Sequence, residues 1–364
     1  MWVDQTITVR DGRIETIGSA NASLHNGLPR WTTSACIAPA FFDIQVNGAA
    51  GLMFNASPTA ITLRTIGEAL AQHGTGAWLP TFISDAPEKM GAAAQAIEET
   101  FGQFGVVGVH FEGPHISMTR RGAHAPQYIH PLSDTTFSLL ARLRSQKIPV
   151  LLTLAPEVHP PGTIARLRQI GVTVSLGHTA ANAQQIAMAL SEGATCFTHL
   201  FNGMTPMRSR EPGVVGAALD SMAWCGVIAD GHHVADTVLR IALRAHAASN
   251  RMVLVSDAMA TLYGPSEFDL YGETIRLHEG RLVNSAGSLA GAHLDLAQAV
   301  RRLICVLGVD AEKALRMATR NPAQLMGLDA DFGSLQPGMP ARMIFLDEDW
   351  NLLTDLESTC IPAA

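Results

Sequence analysis

Eight short apolar runs recur between residues 36 and 257, with amphipathic segments between most of them. The runs cover 36–45, 76–84, 106–111, 148–155, 172–177, 194–199, 224–229 and 252–257. Strands that alternate with helices read as parallel β/α units. Eight such units in about 290 residues predict a (β/α)8 barrel, because eight is the number at which that fold closes. A doubly wound open sheet is the structural alternative.

The intervening segments carry helix signals. ANAQQIAMALSEG has Asn182 as an N-cap and Gly193 as a stop. VADTVLRIALRAHA is a second amphipathic segment. After the eighth run, AHLDLAQAVRRLICVLG sets Leu296, Val300, Leu303, Ile304 and Leu307 on one face. NPAQLMGL reads as a helix capped by Asn321, with Pro322 at its first position. The chain ends differ in character. ITVRDGRIETIG is a hairpin turning at Asp11-Gly12, and GSLQPGMPARMIFLDED ends in a strand at 343–346. The expected division is a small β domain from residues 1–36 and 331–364 around a barrel of residues 37–330.

Composition narrows the function. The 364 residues are 47% apolar and 16% charged, which favours a large core and excludes disorder. A net charge of −7 with no basic block argues against nucleic acid. The five cysteines (36, 196, 225, 305 and 360) are scattered and odd in number, so reduced thiols in a cytosolic protein are expected. The opening MWVDQTITVRDGR lacks an apolar signal core, and no run is long enough to span a bilayer. GxGxxG, GxSxG and phosphate-loop lysine signatures are absent.

Five of the runs lead to Glu112, His178, His199, His233 and Asp257. Parallel strands open their C-termini onto one face, so such side chains converge. Two imidazoles with a carboxylate suit a divalent cation, and a further carboxylate suits a general base beside it. Alone, Glu112 also reads as a turn residue, His178 as a structural histidine and Asp257 as a helix cap. The shared position of His178 and His199 on successive runs favours ligation. Arg210 and His233 are anion-binding candidates, or else a surface charge and a neutral loop histidine. Asn202-Gly203 suggests a turn that exposes backbone N–H groups to phosphate. His124, in a Gly/Pro loop, either polarises a carbonyl or has no chemical part.

Taken in order, PAFFDIQVNGAAG, GVHFEGPHI, RGAHAP, SLGHTAA, THLFNGM, REPGVVGAAL, IADGHHV, LVSDAM and GSLQPGMPARMIFLD resemble the N-acetylglucosamine-6-phosphate deacetylases of the amidohydrolase superfamily. The resemblance runs from about residue 7 to residue 347. It implies a metal-bearing barrel with a small β-sandwich made from both chain ends. It implies Glu112, His178 and His199 as metal ligands, Asp257 as general acid/base, and His124 as the group that polarises the acetamido carbonyl. Asn202, Gly203 and His233 would hold the phosphate. Arg210 would reach into a neighbouring subunit's site, which implies a homodimer.

Many amidohydrolases carry His-x-His at the end of strand one, where this chain has Gln45-Val46-Asn47. Amides are poor ligands beside imidazole. One metal per subunit is therefore expected, zinc first, with Fe2+, Mn2+ and Co2+ as alternatives. Family members often carry Ala at the position of Gly203, a difference that a backbone contact is expected to tolerate. The expected reaction is deacetylation of N-acetyl-D-glucosamine 6-phosphate. Another acetamido sugar phosphate, such as N-acetylgalactosamine 6-phosphate, or a cyclic amide is the alternative. A non-catalytic sensing or scaffold barrel is disfavoured, because all four chemical side chains are present.

Overall fold

A computed structural model describes residues 5–19, 31–354 and 361–362. Its centre is an eight-stranded parallel sheet whose neighbours follow chain order. The strands are Phe41–Val46, Thr75–Ile83, Val109–Glu112, Val150–Leu154, Thr173–Leu176, Cys196–Phe197, Trp224–Val227 and Met252–Leu254. A parallel bridge from Val46 to Ala258 joins the first strand to the chain leaving the eighth. Asp257 N–H donates to Gln45 O at 3.0 Å and Asn47 N–H to Ala258 O at 2.9 Å, so the sheet closes into the predicted (β/α)8 barrel. Both faces of these strands are covered, which is why they read as mostly apolar runs. Phe41, Phe42, Trp78, Phe111 and Phe197 are fully buried.

A helix follows each strand, and local sequence sets several of their ends. Asn182 caps Ala183–Ser191 through a capping box with Gln185, and Gly193 at φ +109° turns the chain away. The Leu296–Cys305 helix starts at Asp295, whose carboxylate accepts from Gln298 N–H at 2.7 Å. Its inner face buries Leu296, Ala299, Val300 and Leu303. Asn321 is not a cap. The last helix spans Arg320–Met326 behind Thr319, and Asn321 lies inside it, buried, with Nδ2 donating to Met252 O at 2.6 Å. The carbonyl at the start of the eighth strand captures the amide that the sequence offers to the helix.

The run 36–45 is two strands. Cys36–Pro39 pairs antiparallel with Met343–Leu346, whereas Phe41–Val46 opens the barrel. The switch occurs between Ala40, which donates to Arg342 O, and Phe41, which donates to Gly74 O. The hairpin Gln5–Arg10/Arg13–Ser19 turns at Asp11 (φ +49°) and Gly12 (φ +71°). It joins the same unit through bonds between Ile14 and the backbone of residues 338 and 339. Trp31–Thr32 pairs with Ile361–Pro362, so both chain ends build the small β unit.

One element has no counterpart in the sequence reading. A four-stranded antiparallel meander (Glu267–Leu270, Glu273–His278, Arg281–Val283 and Leu289–Ala292) is inserted after the eighth strand. Its turns at Tyr271-Gly272 and Glu279-Gly280 all have positive φ. Those two X-Gly steps between alternating runs were the available signal. Cys36, Cys196, Cys225 and Cys305 are free thiols, and Cys360 lies outside the described residues. No helix among the described residues is long and apolar enough to cross a membrane.

Candidate metal and deacetylation site

Barrel geometry brings Glu112, His178 and His199 together from the third, fifth and sixth strands. His178 Nε2 lies 3.1 Å and His199 Nε2 2.8 Å from the same carboxylate oxygen, Glu112 Oε1. The two imidazole nitrogens are 3.1 Å apart. All three side chains are buried. His178, His199 and Asp257 leave their strands at φ +46°, +29° and +50°. A left-handed backbone at non-glycine residues costs roughly 1–3 kcal/mol each and persists only where the surroundings impose it. Here it turns three polar side chains into the barrel mouth.

The donor set fits a divalent cation. His178 Nδ1 donates to the backbone carbonyl of Arg120 at 2.8 Å, an oxygen that can only accept. The lone pair at His178 Nε2 therefore faces a carboxylate oxygen 3.1 Å away. Two acceptors that close need positive charge between them. Two imidazoles and a carboxylate, with one imidazole oriented by a backbone carbonyl, match the chemistry of zinc sites. Burial works to raise Glu112, but the influence of the His178 and His199 imidazoles beside it outweighs burial and holds the carboxyl well below its usual range.

Asp257 stands beside this trio. Asn47 Nδ2 donates to Asp257 Oδ1 at 2.8 Å. Gln45 Nε2 bridges the two carboxylates, 3.1 Å from Asp257 Oδ1 and 3.2 Å from Glu112 Oε2. The Gln-x-Asn pair thus supplies amide donors where imidazoles would supply lone pairs. Burial and then the neighbouring charge of Glu112 raise Asp257 above the ordinary carboxylate range, against His199, His233 and Asn47. A carboxylate raised in this way is a competent proton acceptor. Below the site, a polar layer crosses the lumen. It runs from Thr81 to His110 (3.2 Å), to Thr153 (2.8 Å), to Thr198 (2.7 Å) and to Ser175 (2.6 Å). Burial lowers His110 to about 4, so the layer is neutral at working pH.

His124 is buried at the edge of the trio, its ring 4.5 Å from that of His178. Glu112, His124 and His178 offer ligand atoms within 4.8 Å of one another, so proximity alone does not separate His124 from the ligands. Its hydrogen bonds do. His124 Nδ1 is held by Ser84, at 2.8 Å from Oγ and 3.3 Å from the backbone N–H. Burial lowers His124 to about 3 and keeps the ring neutral. Sequence reasoning missed Ser84, although it follows the end of the second strand, where the rule that found the other residues applies.

The remaining candidates lie on loops. The seventh strand ends at Val227, so His233 is not at a strand end as the sequence suggested. It is brought back by Asp230, which accepts His233 Nδ1–H at 2.6 Å and the backbone N–H groups of His232 and His233. Burial works to raise Asp230, but these bonds outweigh it and lower the carboxyl. Asn202 and Gly203 follow His199, with Asn202 Nδ2 donating to His199 O at 3.3 Å. Gly203 has φ +63°, and a Cβ there would lie 2.9 Å from His178 Nδ1. In this chain Ala at 203 would press on His178, so the difference at this position is more than a neutral exchange. Arg210 is exposed in the turn between Arg208 and Glu211 and forms no side-chain bond among the described residues.

Known proteins resemble this chain in sequence and in fold. Residues 36–359 match the model of the amidohydrolase family. The chain is 42% identical to an N-acetylgalactosamine-6-phosphate deacetylase of Shewanella sp. (strain ANA-3), over 88% of this chain and 82% of that protein. It is 30% identical to an N-acetylglucosamine-6-phosphate deacetylase of Haemophilus influenzae, over 86% of this chain and 83% of that one. The crystal structure of N-acetylglucosamine-6-phosphate deacetylase from Pasteurella multocida superposes with a TM-score of 0.89 at 30% identity, covering 97% of this chain and 93% of that chain. The chain belongs to the amidohydrolase family, among its amino-sugar-6-phosphate deacetylases.

Proposed function

We propose that this chain hydrolyses the acetamide of N-acetyl-D-glucosamine 6-phosphate, releasing acetate and D-glucosamine 6-phosphate. The observation that carries this reading is the convergence of Glu112, His178 and His199 within 3.1 Å, beside an Asp257 anchored by two amides. Glu112, His178 and His199 would hold one divalent cation, zinc first. When bound, that cation supplies Lewis acidity and makes water a competent nucleophile near neutral pH.

The chain's own residues account for the other steps. Asp257 takes a proton from the attacking water. The water oxygen bonds to the acetamide carbon, and His124 donates a hydrogen bond to the carbonyl oxygen as it gains charge. Asp257 then returns the proton to the sugar nitrogen as the C–N bond breaks, since an unprotonated amine leaves poorly. His233 and the backbone at Asn202 and Gly203 hold the phosphate, which fixes the acetamide against the cation site. Arg210, exposed and without a side-chain bond among the described residues, acts on the phosphate in the neighbouring subunit of a homodimer. The division into an end-built β domain (1–36 and 331–364) and a catalytic barrel (37–330) belongs to the same reading, as does a cytosolic location, supported by the free thiols.

A second substrate is favoured by one observation: the 42% identical Shewanella relative is an N-acetylgalactosamine-6-phosphate deacetylase. The two sugars differ in the configuration of one hydroxyl. Acetate release by the zinc-loaded protein from both 6-phosphates, with unphosphorylated N-acetylglucosamine alongside, decides among them. A higher kcat/KM for the glucosamine compound is expected. A higher value for the galactosamine compound transfers the activity to the second reading, and release from neither refutes both.

A further inference from the structure

We propose that Ser84 is a positioning residue that fixes His124 as its Nε2–H tautomer, and that this N–H is the donor facing the acetamide oxygen. The proposal rests on the reading of His124 given above and deepens it. A backbone amide can only donate. The Ser84 N–H lies 3.3 Å from His124 Nδ1, so that nitrogen carries the lone pair. The Ser84 hydroxyl, 2.8 Å from the same atom, adds a second donor. A neutral imidazole has one N–H, and with Nδ1 accepting it must be at Nε2. No hydrogen bond to His124 Nε2 forms among the described residues, so the donor is unclaimed.

This tautomer also removes His124 from the ligand set. Its lone pair is engaged by Ser84 and its other nitrogen bears a proton, so neither can bind a cation. Proximity to Glu112 and His178 therefore describes a neighbouring donor rather than a fourth ligand.

The surroundings of Ser84 are built for this contact. Gly113 has φ +77°, and a Cβ there would lie 2.5 Å from Ser84 Oγ. Only glycine at 113 leaves room for the hydroxyl beside the loop that carries His124. The Tyr271 hydroxyl donates to Ser84 O. Tyr271 sits at the first turn of the inserted meander, so that insertion reaches the site through Ser84. The His124 backbone is held too, donating to Arg121 O at 3.0 Å and accepting from the Arg121 guanidinium at 2.9 Å.

The test is nitrogen NMR of zinc-loaded protein labelled with 15N-histidine, with His124 assigned from the signals missing in H124Q. The expected spectrum has His124 Nδ1 pyridine-like and Nε2 pyrrole-like. A pyrrole-like Nδ1, or a metal-bound signature at either nitrogen, overturns the proposal. The spectrum is taken on the unaltered holoenzyme, so it decides even if variants fail to fold. In kinetics, S84A is expected to lower kcat roughly 10- to 100-fold with KM and zinc content within twofold of the parent, as for other supporting hydrogen bonds. S84T is expected to recover most of the loss. An unchanged kcat in S84A refutes the role of the hydroxyl. Wild-type kcat in H124Q with the expected spectrum keeps the tautomer but refutes the reading of His124 as the acetamide donor.

Discussion

Asn47 donates its amide to Asp257 at 2.8 Å across the seam where the barrel closes. The pair joins the end of the first strand to the end of the eighth, and it fixes one oxygen of the carboxylate proposed above to move protons. Asn47 is fully buried, so little except this bond and the seam explains an amide there.

N47A should therefore lower kcat roughly 10- to 100-fold while zinc content stays at the parental level, the usual effect of removing a group that orients a reacting one. Steady-state rates and elemental analysis on the same preparation check this. Loss of metal in step with activity would show that Asn47 serves the cation instead.

D257N keeps the size of the side chain but cannot take a proton. A fall in kcat of roughly 10²- to 10⁴-fold is expected, with metal retained. Activity near the parental level would remove Asp257 from the proton path.

H199A takes one of three converging donors away. Purified protein should carry well under one zinc per chain, measured by elemental analysis after dialysis against trace chelator. Full occupancy would refute ligation by His199, which supplies the shortest contact to Glu112, at 2.8 Å.

R210A should raise KM for the phosphorylated sugar about 10- to 100-fold, as expected for a lost charge-assisted contact, with kcat little changed. Mixing R210A with D257N subunits tests the route. Hybrid dimers should recover a site carrying both an intact base and an intact partner arginine. Absence of recovery would place Arg210 in its own subunit's site.

Asp43 supplies a test of stability. It is buried beneath the site, and burial outweighs its bonds from Ser256 and Gln45 to raise the carboxyl from 3.8 to about 7. Between those values the folded chain holds a proton that the unfolded chain has released. The contribution is present in full below about pH 4 and is lost as pH rises through about 7, at roughly 1.4 kcal/mol per pH unit or less. D43N mimics the protonated acid, so its unfolding midpoint should vary less over this range. Parallel midpoint curves for the two proteins would mean that Asp43 is ionised in the fold.

The eight barrel strands and the residues at or just beyond four of their ends were legible in the sequence because they are local features. A strand buried on both faces is predominantly apolar, and a chemically reactive residue at or just beyond the end of such a run stands out. Glu112, His178, His199 and Asp257 were found in this way. The Asp11-Gly12 turn and the Asn182 cap were legible for the same reason: a short motif makes its own contacts.

Tertiary structure decided whatever depends on a distant partner. The run 36–45 reads as one strand, and the backbone of residues 342 and 74 divides it at Ala40. Asn321 looks like a cap until the carbonyl of Met252 claims its amide. The Gln45 bridge between Glu112 and Asp257, and the bond from Ser84 to His124, join residues 67, 212 and 40 positions apart. Sequence supplied the kinds of side chain and the strand ends that carry them. Which atom donates to which was settled by barrel closure, because hydrogen bonds depend on atomic positions that only packing defines.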